Sequence, residues 1–140
     1  MTQEPVEVAR NGWGVVLHHD RLRALELRWL PSTNEMSDDG FKETLELLAA
    51  QGDRAKPAYM IIDATEFHHK PGDDALQWRD RELIPRYNSA GVKKFAFLNP
   101  HATHHATVES GGTPQPEGSA EFPTGWFTTR QRLYQWLMED

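Results

Sequence analysis

The seven histidines of this chain fall into three groups, His18-His19, His68-His69 and His101 with His104-His105. Neutral imidazole ligates Zn²⁺, Ni²⁺ or Cu²⁺ and also carries protons near neutral pH, so metal binding and proton transfer are the chemistries to test first. Two of the groups follow apolar runs, 58–63 and 93–98, that read as buried strands. Parallel strands bring their carboxyl ends to one edge of a sheet, where ligand sites of open α/β sheets collect, so five imidazoles are expected on one rim. In a helix starting at Pro100, His101, His105 and Glu109 recur every four residues and project from one face, with His104 beside them. Joined by His68 or His69, they form the candidate metal site, for zinc or another divalent transition metal, of a metal-binding protein or a metal-dependent enzyme. The alternative is a solvent-facing, histidine-rich rim, because no strict signature such as HExxH occurs. His18-His19 is placed in a turn before a strand, at the opposite edge of the sheet, apart from the rim within one subunit.

Asp63 ends the strand at 58–63. It can orient His68 or His105 as the second member of a catalytic relay, or accept hydrogen bonds from its own loop backbone as Asx residues commonly do. The relay lacks a nucleophile: there is no cysteine and no GxSxG elbow, which leaves only Thr65. Of the five tryptophans, Trp29 and Trp136 fit core faces, whereas Trp78 and Trp126 could wall an apolar pocket or a dimer interface. The candidate ligand rim is therefore Asp63, Thr65, His68, His69, Trp78 and Trp126.

The elements that must carry these residues are legible along the chain. Asn11-Gly12 between Val6–Arg10 and Val15–Leu17 predicts a hairpin with a two-residue turn of positive φ. LRALELRWL alternates, predicting a half-buried strand with Leu25, Leu27 and Trp29 inward and Ala24, Glu26 and Arg28 outward. Ser37 reads as an N-cap with Asp38-Asp39 in the first turn and Met36 stapled to Phe41. Phe41, Leu45, Leu48 and Ala49 form that helix's apolar stripe and Gly52 its stop. A second helix starts at Asp73-Asp74, is kinked by Pro85 and ends at Gly91, with Arg79-Asp80-Arg81-Glu82 as a solvated face. Residues 111–125, with four glycines and three prolines, read as a flexible flap. A short strand at Trp126-Phe127 and a helix capped by Thr128 or Thr129 and burying Leu133, Trp136 and Leu137 close the chain.

One domain fits 140 residues, enough to bury roughly two thirds of the unfolded surface. A net charge of −6 without a Lys/Arg-rich run argues against nucleic acid as a partner, and no stretch is apolar enough for a membrane span. The absence of cysteine excludes disulfides and thiolate chemistry, and a cytoplasmic protein is expected.

The order of elements, with the strand and loop AYMIIDATEF at 58–67 and Phe127 followed by Trp136-Leu137, resembles the STAS domain in its SpoIIAA-like, STAS/SEC14 bacterial branch. The resemblance implies an α/β fold over 1–140, a mixed sheet with helices packed on it and an N-terminal β-hairpin. It also implies a non-catalytic binding or regulatory module, expected as a homodimer that recognises a protein partner or a small apolar ligand such as a lipid or quinone. The chain departs from the phosphorylated anti-sigma antagonists of that fold. Asp73-Asp74 stands where those carry a Ser or Thr, and a phosphate there would be repelled.

Overall fold

A computed structural model describes residues 5–101, 115–116 and 120–139. Val6–Arg10 (β1) and Gly14–His19 (β2) form the expected hairpin. Its turn is not the two-residue type, since Arg10 faces Val15 across it and neither Asn11 nor Gly12 has a positive φ. Asn11 builds the turn with its side chain instead. Its Oδ1 accepts from the N–H groups of Trp13 and Gly14 at 2.9 and 3.0 Å, and its Nδ2 donates to Thr44 Oγ1 at 3.0 Å. Asn11→Ala should therefore lose about 1–2 kcal/mol in urea unfolding, more than a surface turn residue would; a loss below a few tenths would show that water replaces these bonds.

Ala24–Trp29 (β3) extends the hairpin, and Tyr59–Asp63 (β4), Lys94–Leu98 (β5) and Pro123–Phe127 (β7) follow in parallel. The two-residue Gln115–Pro116 (β6) pairs antiparallel with β7, completing the order β1-β2-β3-β4-β5-β7-β6. Part of the expected flap is thus sheet. Pro123 begins β7, a position where the missing N–H is tolerated, and Phe122 before it is buried. The glycine and proline content of 111–125 hid that strand.

Asp38–Ala55 (α1) has the expected cap, Ser37 Oγ accepting from Gly40 N, and buries Phe41, Leu45, Leu48 and Ala49. Gly52 does not end it. It lies inside the helix, where a Cβ would meet the Met60 methyl at 3.0 Å, and the chain turns at Lys56, held at φ 47°. Asp73–Trp78 (α2) and Ile84–Ala90 (α3) are joined by a π-helical turn at Arg79–Leu83. Gly72 is its N-cap, with Asp73 and Asp74 only charging the first turn. Pro85 explains the π turn. It has no N–H to offer Arg81, and the ladder slips so that Ile84 N–H reaches back to Arg79 O. Arg130–Met138 (α4) is capped by Thr129 at its start. Lys94 Nζ donates to the carbonyls of Trp136 and Glu139 at its end.

The sheet separates two cores. On one face Leu25, Leu27, Trp29, Met60, Ile62 and Phe95 pack under α1 and α3. On the other Ala24, Ile61, Ala96, Leu98 and Phe127 pack under Leu133, Trp136 and Leu137 of α4. β3 is therefore covered on both faces rather than half-buried, and Glu26 is 0% exposed. No helix of the described residues is long and apolar enough to cross a membrane.

Candidate functional site

At the rim formed by the carboxyl ends of β4 and β5, the described histidines do not converge on one site. Asp63 Oδ1 accepts from Thr65 N at 3.0 Å and Thr65 Oγ1 at 2.6 Å, the loop-bound arrangement, and Asp63 Oδ2 accepts from Arg130 Nη2 at 2.7 Å. Among the described residues its carboxylate thus orients Thr65 and Arg130, and no histidine. His68 lies exposed, its Nε2 3.4 Å from Glu66 Oε2. His69 turns the other way, with Nε2 2.7 Å from Asp38 Oδ1 at the start of α1 and its ring against Phe41 and Phe67. The hydrogen bond to His69 outweighs burial and holds the Asp38 carboxyl below its ordinary range. His101 donates its backbone N–H to Asn99 Oδ1, while His104, His105, Glu109 and the helix expected to carry them lie outside the described residues. Among the described residues, no group of three His, Asp or Glu side chains could hold a metal ion.

The second histidine pair closes β2 instead of occupying a turn. It stays away from the rim, but His19 is not idle. Its Nε2 is 2.7 Å from Glu26 Oε1 in a buried ionic cluster on the α4 face of the sheet. Arg130 Nη1 and Nη2 donate to Glu26 Oε1 and Oε2, both at 2.9 Å, and Nη1 also donates to Tyr134 Oη at 2.8 Å. Arg28 Nη2 donates to Glu26 Oε2 at 3.1 Å, and its Nε lies 3.5 Å from Asp63. Burial would raise the Glu26 pKa, but the hydrogen bonds from His19 and Arg130 and the charges of Arg130 and Arg28 prevail and hold it at about 2. Two carboxylates and two guanidiniums saturate one another here, which makes the cluster a clamp between α4 and the sheet.

The α1/α3 face carries a cavity. Phe95 and Phe97 of β5 pair in register with Thr124 and Trp126 of β7. The opening, about 220 Å³, lies between this strand pair, Phe122, and the Leu76, Ile84 and Tyr87 side of α2 and α3. Phe97 and Trp126 stack with centroids 4.1 Å apart and planes within 10°. Phe95 packs against Tyr87 at 5.5 Å and stacks on Phe122 at 5.9 Å. Arg79 and Asp80 bring the only charges among the described lining residues, and they pair with each other at 3.2 Å. They are half-buried at the cleft, while Arg81 and Glu82 of the expected solvated face are exposed and paired with each other.

Trp126 is thus a cleft residue, as expected of a pocket wall, but Trp78 is not its partner. Trp78 sits under the Lys42 ammonium, 5.7 Å from its ring centroid, on the α1 side. Sequence reasoning missed Phe97, Tyr87, Ile84 and Leu76 as lining because each fits an ordinary core pattern. The available signal was two aromatics on one face of β5 opposite Trp126. Compared with known proteins, the chain matches no family model, no curated protein and no solved structure. Fold and site together define an α/β domain with a partly open aromatic cleft on one face of its sheet and an ion-clamped helix on the other.

Proposed function

We propose that this chain is a non-catalytic binding module of STAS-like, SpoIIAA-like type whose ligand is a small apolar molecule held in the aromatic cleft. The cleft carries the reading, because ligand sites are concave, mostly apolar and marked by a few convergent polar groups. This one joins five aromatic side chains to one phenol hydroxyl and one ion pair. The family part of the proposal rests on the sequence resemblance, and the mixed α/β sheet is compatible with it. A cytoplasmic homodimer belongs to the same reading, with native mass spectrometry as the check on its oligomer.

Tetralin is a suitable first probe, with two fused rings and no polar atom. Its expected dissociation constant is about 0.2 mM, corresponding to about 0.5 kcal/mol for each of roughly ten non-hydrogen atoms. Binding should move the Trp126 indole N–H resonance, assigned through Trp126→Phe. Ala120→Trp places a ring in the cleft and should weaken tetralin at least tenfold while keeping the melting temperature. Tetralin binding that ignores Ala120→Trp would place the ligand elsewhere and defeat the proposal.

A further inference from the structure

We propose that the ligand of this cleft is a neutral one- or two-ring aromatic bearing an oxygen that accepts a hydrogen bond from the Tyr87 hydroxyl, an inference that rests on the cleft reading above. Size comes first. A dry apolar cavity of about 150 Å³ holds benzene, so about 220 Å³ leaves room for a second fused ring or a short substituent. Shape follows from the walls: Phe97 and Trp126 are nearly parallel, and Phe95 and Phe122 stack within 18°, so flat molecules match the ring faces.

Tyr87 supplies the polar contact. Its side chain lines the cleft and the residue is only 4% exposed, yet among the described residues no hydrogen bond reaches its hydroxyl. Among those residues every fully buried side-chain nitrogen or oxygen has a partner. The phenol oxygen must therefore keep some accessible edge, and the cleft is the opening that Tyr87 lines. Burial raises its pKa strongly, with the nearby Arg79 charge opposing only in part. The group is thus a neutral donor throughout the physiological range, and a buried donor is best satisfied by an acceptor carried on the ligand.

Charge sets the last condition. Arg79 and Asp80, the only charges among the described lining residues, pair with each other, so an ionised ligand would lose hydration with no surplus counter-charge among those residues to replace it. The ligand is therefore neutral, with a carbonyl or ether oxygen as its acceptor.

The test compares three probes, tetralin, 1-tetralone and 1-naphthoate, on the wild-type chain and on Tyr87→Phe, followed by the Trp126 indole resonance. Tyr87→Phe removes a hydroxyl that has no hydrogen-bond partner among the described residues and should keep the melting temperature. It should weaken 1-tetralone about fivefold more than it weakens tetralin, and 1-naphthoate should bind the wild type more weakly than 1-tetralone. Tetralin binding without a Tyr87-dependent preference for the ketone overturns the oxygen contact and leaves the cleft reading intact. Tighter binding of 1-naphthoate overturns the neutral ligand. No binding of either neutral probe overturns the cleft reading and this inference together.

Discussion

Arg130→Ala is expected to destabilise the fold by about 3 kcal/mol, through a charge left behind rather than through lost packing. The Arg130 guanidinium grips Glu26 with two parallel hydrogen bonds and reaches Asp63 with a third. Its removal leaves the Glu26 carboxylate, 0% exposed, with only His19 and the half-exposed Arg28. Breaking one side of a buried ion pair typically costs about 3–5 kcal/mol, whereas replacing both sides by apolar groups is often neutral. The lower end applies because the Arg130 side chain is 29% exposed and Arg28 remains. Urea unfolding should show the loss, and the double variant Glu26→Leu with Arg130→Leu should be more stable than Arg130→Ala alone. A double variant as unstable as the single would mean that the fold needs the ion pair itself. An Arg130→Ala loss below about 1 kcal/mol would mean that water already solvates Glu26.

That cluster shows where sequence reasoning reaches and where it stops. The cap at Ser37 and the disturbance at Pro85 are local, and each follows from groups within a few residues. Glu26 alternates with Leu25 and Leu27, which reads as the solvent face of a strand. It becomes interior only because α4 returns over it, bringing Arg130 from 104 positions away. Nothing near Glu26 announces that partner, since alternation reports a change of face and not whether a later helix covers it. The cleft was hidden for the converse reason. Phe95, Phe97, Ile84 and Tyr87 have the periodicity of buried side chains, and periodicity cannot tell packing against a helix from packing around a cavity. Gly52 and Pro123 misled through composition, one seated inside α1 where Met60 approaches, the other at the first residue of a strand.

Acid should unfold this protein through Glu26. Its folded pKa of about 2 lies below the ordinary value of 4.5, so the folded state binds the Glu26 proton less readily than the unfolded state does. A depressed carboxylate pKa adds stability that is fully present above the unfolded value and lost as pH falls through the folded one. The difference corresponds to about 3 kcal/mol, surrendered between about pH 5 and pH 2. The carboxyls of Glu7, held down mainly by its hydrogen bond from Arg10, and Asp38, held down mainly by that from His69, also lie below their ordinary range, at the surface. Glu26→Gln separates the contributions. It should be less stable than the wild type at pH 7, where Arg130 and Arg28 face an uncharged amide, and should lose much less stability between pH 5 and pH 2. Parallel pH profiles for the two proteins would show that Glu26 does not set acid stability. Because Arg130 ties Glu26 to α4, the early acid transition should expose α4 first, read as amide exchange at Leu133 and Leu137 ahead of Leu48 and Ala49 on α1.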